Sequence, residues 1–328
     1  MSIFLPSLKK RGHLDQTHIT ICNVGSRKIS VEDDYGSLDW KILGSNLTIY
    51  GFDADADACA AANQHLAEQP VPWTERHIPL ALSDRIGEST LYVTRAPMCS
   101  SLYPPNEPYL ERFADLIELV ATDFTIALET TTLDNFCQQE GIATIDFLQI
   151  DVQGADLNVL KGANQMLQTV LAVQVEVEFS HLYQGQPLFA DVDTFMRSQD
   201  FTLFDLTHSR QVRARSPIHT SHHPGQLLWG DAYYFCDLIR QPEMAHSQTP
   251  AQILKLACLA DALEFSDYAL ELLEYLTLHC GSDPAYNFAD AIVDSLQPYP
   301  PLIENWQSFP IFQTLRAYLS PAMADVLK

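Results

Sequence analysis

The chain has 328 residues, 47% of them hydrophobic, and 42 acidic against 19 basic side chains give a formal net charge of −23. Length and composition suit a folded protein with a substantial core, built as two domains or as one large domain with an extension. The negative surface repels phosphate backbones and anionic bilayers, which excludes nucleic acid and membrane as general partners.

Seven cysteines (Cys22, Cys59, Cys99, Cys137, Cys236, Cys258 and Cys280) are scattered with no CxxC spacing. They read as small, reduced core residues, not as a zinc knuckle or redox pair. The stretch "MSIFLPSLKKRGHLD" puts its charges after a very short apolar run, the reverse of a secretory leader. No segment approaches membrane-spanning length, so the expected location is cytoplasmic.

In chain order, "HITICNV" (His18–Val24) and "LTIYGFD" (Leu47–Asp53) are β-rich runs that predict strands. The alanine-rich "DADACAAANQHLAEQ" predicts a helix with Asp55 as its N-cap. "HIPLALS" predicts a third strand, and "TLYVTR" another beyond the turn-like "DRIGES". Met98–Pro108 reads as a proline-rich loop, and "TTLDNFCQQEG" as a helix with a threonine near its start and Gly141 past its end.

Next come the strand "IDFLQID", a helix from Ala155 with Leu160, Ala163 and Leu167 on one face, and the strand Leu171–Phe179. "ADVDTFMRSQD" predicts a helix between that strand and "FTLFDL", and "LLWGDAYYFCDL" a last strand. Alternating strands and helices predict an α/β fold with a mostly parallel, doubly wound sheet, the final two strands forming an antiparallel edge. After about residue 240 the pattern becomes wholly helical, with Pro284, Pro298, Pro300, Pro301 and Pro310 dividing it into short helices. The expected division is therefore residues 1–240 and a helical C-terminal extension, 241–328, suited to packing or to a protein partner.

Ligands of open α/β sheets bind outside the carboxyl ends of the strands, and an acidic residue after the second strand can take ribose hydroxyls. Asp53 occupies that place; Asp55 and Asp57 read as helix N-terminal charge, a role open to Asp53 as well. The first-strand loop "NVGSRK", with Asn23 and Gly25, holds a single glycine and so lacks the G-x-G-x-x-G cradle for a pyrophosphate. That counts against a nicotinamide-dependent oxidoreductase and suits S-adenosylmethionine, which has ribose and adenine but no phosphate.

"IDFLQIDVQGADLNVLKGA" resembles the signature of the FkbM family of S-adenosylmethionine-dependent methyltransferases: a strand ending in aspartate, then x-x-G-x-[DE] and a Leu-Lys-Gly-Ala helix. "PLALSDRIGESTLYVTRAPMCSSLYPPN", with the paired Ser100 and Ser101, resembles the family's central block. "TTLDNFC" and "VEVEFSHLYQGQPLFADVDTFM" resemble the flanking segments, so the likeness runs from about His18 to Asp237. The chain departs from the pattern at Gln149 and Gln153, where the family commonly has lysine and glutamate.

The resemblance implies a Rossmann-like methyltransferase fold and an O-methyltransferase acting on a hydroxyl of a sugar, glycan or polyketide-like metabolite. Asn23, Gly25, Asp53, Leu82, Ser83 and Asp151 are the expected cofactor residues, with Leu82 and Ser83 at the adenine. Asp151 is expected to face both cofactor and acceptor, and His181, just after the following strand, is a candidate base whose alternative is a cap or surface role.

Glu176 and Glu178 share a strand face and need partners if buried, and Glu178 joins Asp151 and His181 as a candidate catalytic residue. Asp151 and Glu178 suggest Mg²⁺, but two carboxylates fall short of a Mg²⁺ ligand set, and no metal ligands are assigned. Trp229 and Asp231 read as packing and pairing at the edge strand, and Ser221–His223 as an exposed loop. Asp33–Trp40 reads either as a cofactor lid or as a helix start. The competing class is a non-catalytic, methyltransferase-like module that binds partners through its helical tail.

Overall fold

The computed structural model of the chain describes residues 2–27, 39–240, 249–297 and 306–327. The short helix α1 (Leu5–Lys10) leads into strand β1 (Ile19–Val24), whose apolar side chains are almost all buried. Strand β2 (Leu47–Asp53) follows, then helix α2 (Ala56–Glu68), whose N-cap Asp55 accepts the N–H groups of Asp57 and Ala58 at 2.9 and 3.2 Å. β3 (Thr74–Pro79) and the two-residue β4 (Ala81–Leu82) share the region read as one strand, and β5 (Gly87–Thr94) begins before "TLYVTR".

Helices α3 (Glu107–Leu110) and α4 (Leu116–Val120) precede the ten-residue strand β6 (Thr122–Thr131), which the sequence pattern did not announce. Helix α5 (Leu133–Glu140) is capped by Thr132, which accepts from Asn135 N–H at 3.0 Å, and ends at Gly141 with φ 69°. Strand β7 (Phe147–Ile150) and helix α6 (Asp156–Gly162) form the signature segment, and strand β8 (Ala172–Glu178) follows. Regular helix stops at Gly162, whose backbone lies on Ser83: a Cβ there would stand 2.0 Å from the Ser83 carbonyl oxygen. Leu160, Ala163 and Leu167 are nonetheless all buried, as the spacing predicts.

Helix α7 (Phe189–Ser198) and strands β9 (Thr202–Leu206), β10 (Ser209–Gln211) and β11 (Gln226–Phe235) complete the α/β portion. The main sheet has the order β10-β11-β8-β7-β1-β2-β3, with β9 also on β11. Strands β3, β2, β1, β7 and β8 are parallel, while β11 is antiparallel to β8 and to both β9 and β10. The antiparallel edge expected from the last strands is present. A separate three-stranded sheet, β4-β6-β5, stands beside it.

The C-terminal helices are α8 (Pro250–Ala262), α9 (Ser266–Cys280), α10 (Ala289–Leu296), α11 (Ile311–Leu315) and α12 (Pro321–Val326). The boundary near residue 240 separates two kinds of structure without separating two cores. One hydrophobic cluster joins Leu5 and Leu8 of α1 and Ile21, Ile49 and Phe147 of the sheet to Leu256, Leu272 and Ile292 of the helices. Polar links reinforce it: Lys255 Nζ reaches both Asp146 oxygens at 2.9 and 3.0 Å, and Asp261 accepts the N–H groups of Ile3, Phe4 and Leu5. Of the segment read as lid or helix start, residues 33–38 lie outside the described residues; Trp40 is buried and stacks on Phe147.

Candidate active site

Strand register builds the site as two successive polar rungs. Asn23 of β1 pairs with Gln149 of β7, Gln149 with Gln174 of β8, and Gln174 with Tyr233 of β11. Partners across a sheet share a face, and so do residues two apart along a strand. The next rung toward the carboxyl edge therefore runs through Gly25, Asp151, Glu176 and Asp231, of which Glu176 and Asp231 are direct register partners. A cleft of about 970 Å³ opens onto these rungs and reaches Asp53, Leu82 and the antiparallel β5–β6 pair.

On the cofactor side, Gly25 has φ +88°, and a Cβ there would stand 1.8 Å from the Asp151 carbonyl oxygen. Only glycine meets both demands. Its N–H donates to Phe52 O at 2.8 Å, which binds the first loop to the end of β2. Asp53 holds that end, half-buried, with Oδ1 accepting Asp55 N–H at 2.8 Å and Oδ2 3.9 Å from Arg27 Nε. Burial raises its carboxyl above the usual range, against the pull of the Asp55 N–H and the Arg27 charge. Arg27 also pairs with Asp55.

Leu82 lines the cleft, whereas Ser83 does not: it is buried behind, donating to Asp84 Oδ1 at 3.2 Å and fixed by its contact with Gly162. Another buried chain supports the loop from behind. Ser26 Oγ lies 3.0 Å from His77 Nδ1, and His77 Nε2 lies 3.0 Å from Glu75 Oε1.

On the acceptor side, Asp151 sits where β7 turns toward α6. The turn is held by Asp156, whose oxygens accept the N–H groups of Val152 at 3.0 Å and Gly154 at 2.9 Å. Burial, then the charge of Asp151, pushes the Asp156 carboxyl up to about 7. Gln153 occupies the left-handed region, φ 55°. Its carbonyl accepts Ser101 Oγ at 2.6 Å; its amide nitrogen donates to Asp151 Oδ1 at 2.9 Å and Glu176 Oε2 at 2.8 Å; its amide oxygen accepts the Tyr183 hydroxyl at 2.9 Å. A neutral carboxamide thus binds two carboxylates side by side. Burial and the Asp151 charge push the Glu176 carboxyl well above its usual range.

Two expected catalytic residues lie elsewhere. His181 is exposed and is not among the residues lining the cleft; its backbone carbonyl accepts Asn106 Nδ2 at 2.9 Å. The chain turns after β8 so that Tyr183, 2% exposed, points inward in its place. Glu178 is 4% exposed and also absent from the lining, its carboxyl raised first by burial and then by Asp156. No group of three or more His, Cys, Asp or Glu able to hold a metal occurs among the described residues.

Asp231, read from sequence as packing and pairing at the edge strand, lines the cleft, and so does Tyr233. Asp231 Oδ2 accepts Thr207 Oγ1 at 3.2 Å, and burial followed by the Asp151 charge raises its carboxyl. The signal that could have found it is the alternation of "WGDAYY": Asp231 and Tyr233 share a face.

The strand order, the reversed strand beside β8 and the cleft at the carboxyl ends of β1, β2 and β7 define a Rossmann-like methyltransferase fold. Residues 41–203 match the family model described as the methyltransferase FkbM domain, and the chain belongs to that family.

It is similar to the 2-O-methyltransferase NoeI of Sinorhizobium fredii, 28% identical over 153 residues, 44% of this chain and 60% of that protein. Among solved structures it is similar to methyltransferase FkbM from Methylobacillus flagellatus, at 10% identity and TM-score 0.39 over 67% of this chain and 44% of that one. It is also similar to magnesium protoporphyrin IX methyltransferase from Synechocystis, at 10% identity and TM-score 0.34, covering 70% and 75%. The chain spans less than two thirds of the length of NoeI and under half of the Methylobacillus chain. No described helix is long and apolar enough to cross a membrane.

Proposed function

We propose that the chain is an S-adenosylmethionine-dependent O-methyltransferase acting on a hydroxyl of a sugar, glycan or polyketide-like metabolite. The observation that carries this reading is a single cleft containing both a nucleoside-type edge (Gly25, Asp53 and Leu82) and a carboxylate edge (Asp151 and Asp231). Asn23, Gly25, Asp53 and Leu82 would hold the cofactor: Asp53 offers acceptor oxygens to ribose hydroxyls, and Leu82 an apolar surface to adenine. The bound cofactor supplies an electrophilic methyl group on sulfur. NoeI, the 2-O-methyltransferase it resembles, supports oxygen as the acceptor atom.

The chain's own residues must orient the acceptor and remove its proton. Asp151 accepts the hydroxyl's hydrogen bond, and its own orientation is fixed by Gln153. Asp231, raised by burial toward the range where a carboxylate is a useful base, takes the proton in place of His181. Gln153 keeps the Asp151–Glu176 pair together without adding a third negative charge.

Calorimetry with S-adenosylhomocysteine and NAD tests the cofactor, and labelled-methyl transfer to a panel of glycans and hydroxylated metabolites tests the reaction. Binding of S-adenosylhomocysteine without turnover on any acceptor would favour a non-catalytic binding module. Binding of NAD alone would overturn the reading.

A further inference from the structure

The cleft has a third wall that neither cofactor nor proton transfer uses. In the antiparallel pair β5–β6, Leu91 lies opposite Ile126 and Val93 opposite Phe124, so the four share one face. All four line the cleft, and Met98 continues the surface. Phe124 is 52% exposed, Ile126 41% and Met98 46%, so these side chains are not spent on the core. Contiguous apolar surface left open beside a polar site marks a place where apolar ligand surface binds.

Also lining the cleft is the rung of Gln149 and Gln174, neutral amides suited to hydroxyl groups, followed by Asp151 and Asp231. Among the described lining residues Arg27 is the single Lys or Arg, and it is paired with Asp53 and Asp55. An anionic acceptor would meet carboxylates with no uncommitted cation to offset them.

Building on the methyltransferase reading, we infer that the acceptor is a neutral amphiphile. Its hydroxylated head lies on the amide and carboxylate rungs, and its apolar body lies on Leu91, Val93, Phe124 and Ile126. A small free sugar would leave this apolar wall in water, and an acidic sugar would be repelled from the floor.

The test uses the full chain saturated with S-adenosylhomocysteine and titrated calorimetrically with methyl, butyl, hexyl and octyl β-D-glucoside. Affinity should rise about twofold per added methylene, half the logarithmic increment of full burial (about fourfold, from ~0.8 kcal/mol per CH₂) because the wall covers one side of the chain. Octyl β-D-glucuronide, equally apolar but anionic, should bind at least about tenfold more weakly than octyl glucoside. The double variant F124S/I126S alters exposed side chains, so its melting temperature and S-adenosylhomocysteine affinity should match the parent while its dependence on alkyl length flattens.

Affinity independent of chain length, an unchanged slope in the double variant, or equal binding of the glucuronide would each overturn the inference. So would a change of mass by light scattering in the double variant with alkyl affinities unaltered, which would make this β5–β6 face an interface between copies. Failure of S-adenosylhomocysteine to bind at all would instead bring down the methyltransferase reading on which the inference rests.

Discussion

The two ends of the parallel sheet bury carboxylates in opposite ways. At the amino end, Asp146 accepts Thr20 N–H at 2.8 Å and takes Lys255 Nζ on both oxygens, while Asp261 on the helical cover receives three backbone N–H groups. At the carboxyl end, Asp151 and Glu176 share one neutral carboxamide, and Asp231 takes a threonine hydroxyl. Cations and amides saturate the first set, which ties chain segments more than 100 residues apart into one body. In the second set Asp151 and Asp231 face the cleft while Glu176 lies outside its lining, and crowding carboxyl groups in this way costs stability.

The largest break in this contrast comes from removing the helical cover. A chain truncated after Arg240 exposes Ile21, Ile49, Phe147 and their neighbours and strips Asp146 of its cation. We expect it to be insoluble or to lack a cooperative melting transition by circular dichroism. A soluble, cofactor-binding truncation would make the helices a dispensable appendage.

At the other end, Asp151→Asn and Asp231→Asn keep shape and remove charge. Each should lower methyl transfer about 10²–10⁴-fold, the usual worth of a positioned acid–base group, with the melting temperature unchanged or raised. Turnover and melting are measured on the same preparations, and full turnover in either variant would remove that residue from the chemistry.

Smaller effects sharpen the contrast. Lys255→Met should cost about 1.5–3 kcal/mol of stability by denaturant unfolding, because it leaves Asp146 buried without its charged partner, yet leave S-adenosylhomocysteine affinity alone. Asp53→Ala should do the reverse, weakening S-adenosylhomocysteine by about 1.5–3 kcal/mol with little loss of stability. Interchanged outcomes would mean that the two ends are not specialised as described.

The smallest effect is on pH dependence. A carboxyl whose folded-state pKa lies above its unfolded value stabilises the fold when protonated; that contribution is full below the unfolded pKa and is lost as pH rises through the folded one. Asp156, pushed up to about 7, and Glu176, Glu178 and Asp261, shifted the same way, give one sign. Melting temperature should therefore fall as pH rises from about 5 to about 8, and Asp156→Asn should flatten the slope.

The strands that pack on both faces were legible residue by residue. Leu47–Asp53 coincides with β2, and the Thr132 and Gly141 ends of α5 follow from cap chemistry. β6 was missed although Phe124, Ile126 and Leu128 recur at the strand period of two; Phe124 and Ile126 face the cleft instead of the core. His181 misled because nearness in sequence to a strand end gives no direction: the turn after β8 sends Tyr183 inward and leaves His181 outside. Asp231 was hidden for a topological reason, since its value depends on β11 lying directly against β8, a pairing of residues 55 positions apart (231 − 176). The helical cover was legible as helices but not as part of the sheet's own core, because hydrophobic periodicity states which face is buried and not against what.

Gly25 carries a mechanical consequence. With no room for even a methyl group between it and the Asp151 backbone, and with Asp151 N–H donating to Val24 O at 2.9 Å, the first loop and the end of β7 are packed directly on one another. A ligand that pushed on this loop would therefore press directly on the Asp151 backbone. A methyl group added at Gly25 would strain two strand ends at once, the loop after β1 and the backbone after β7.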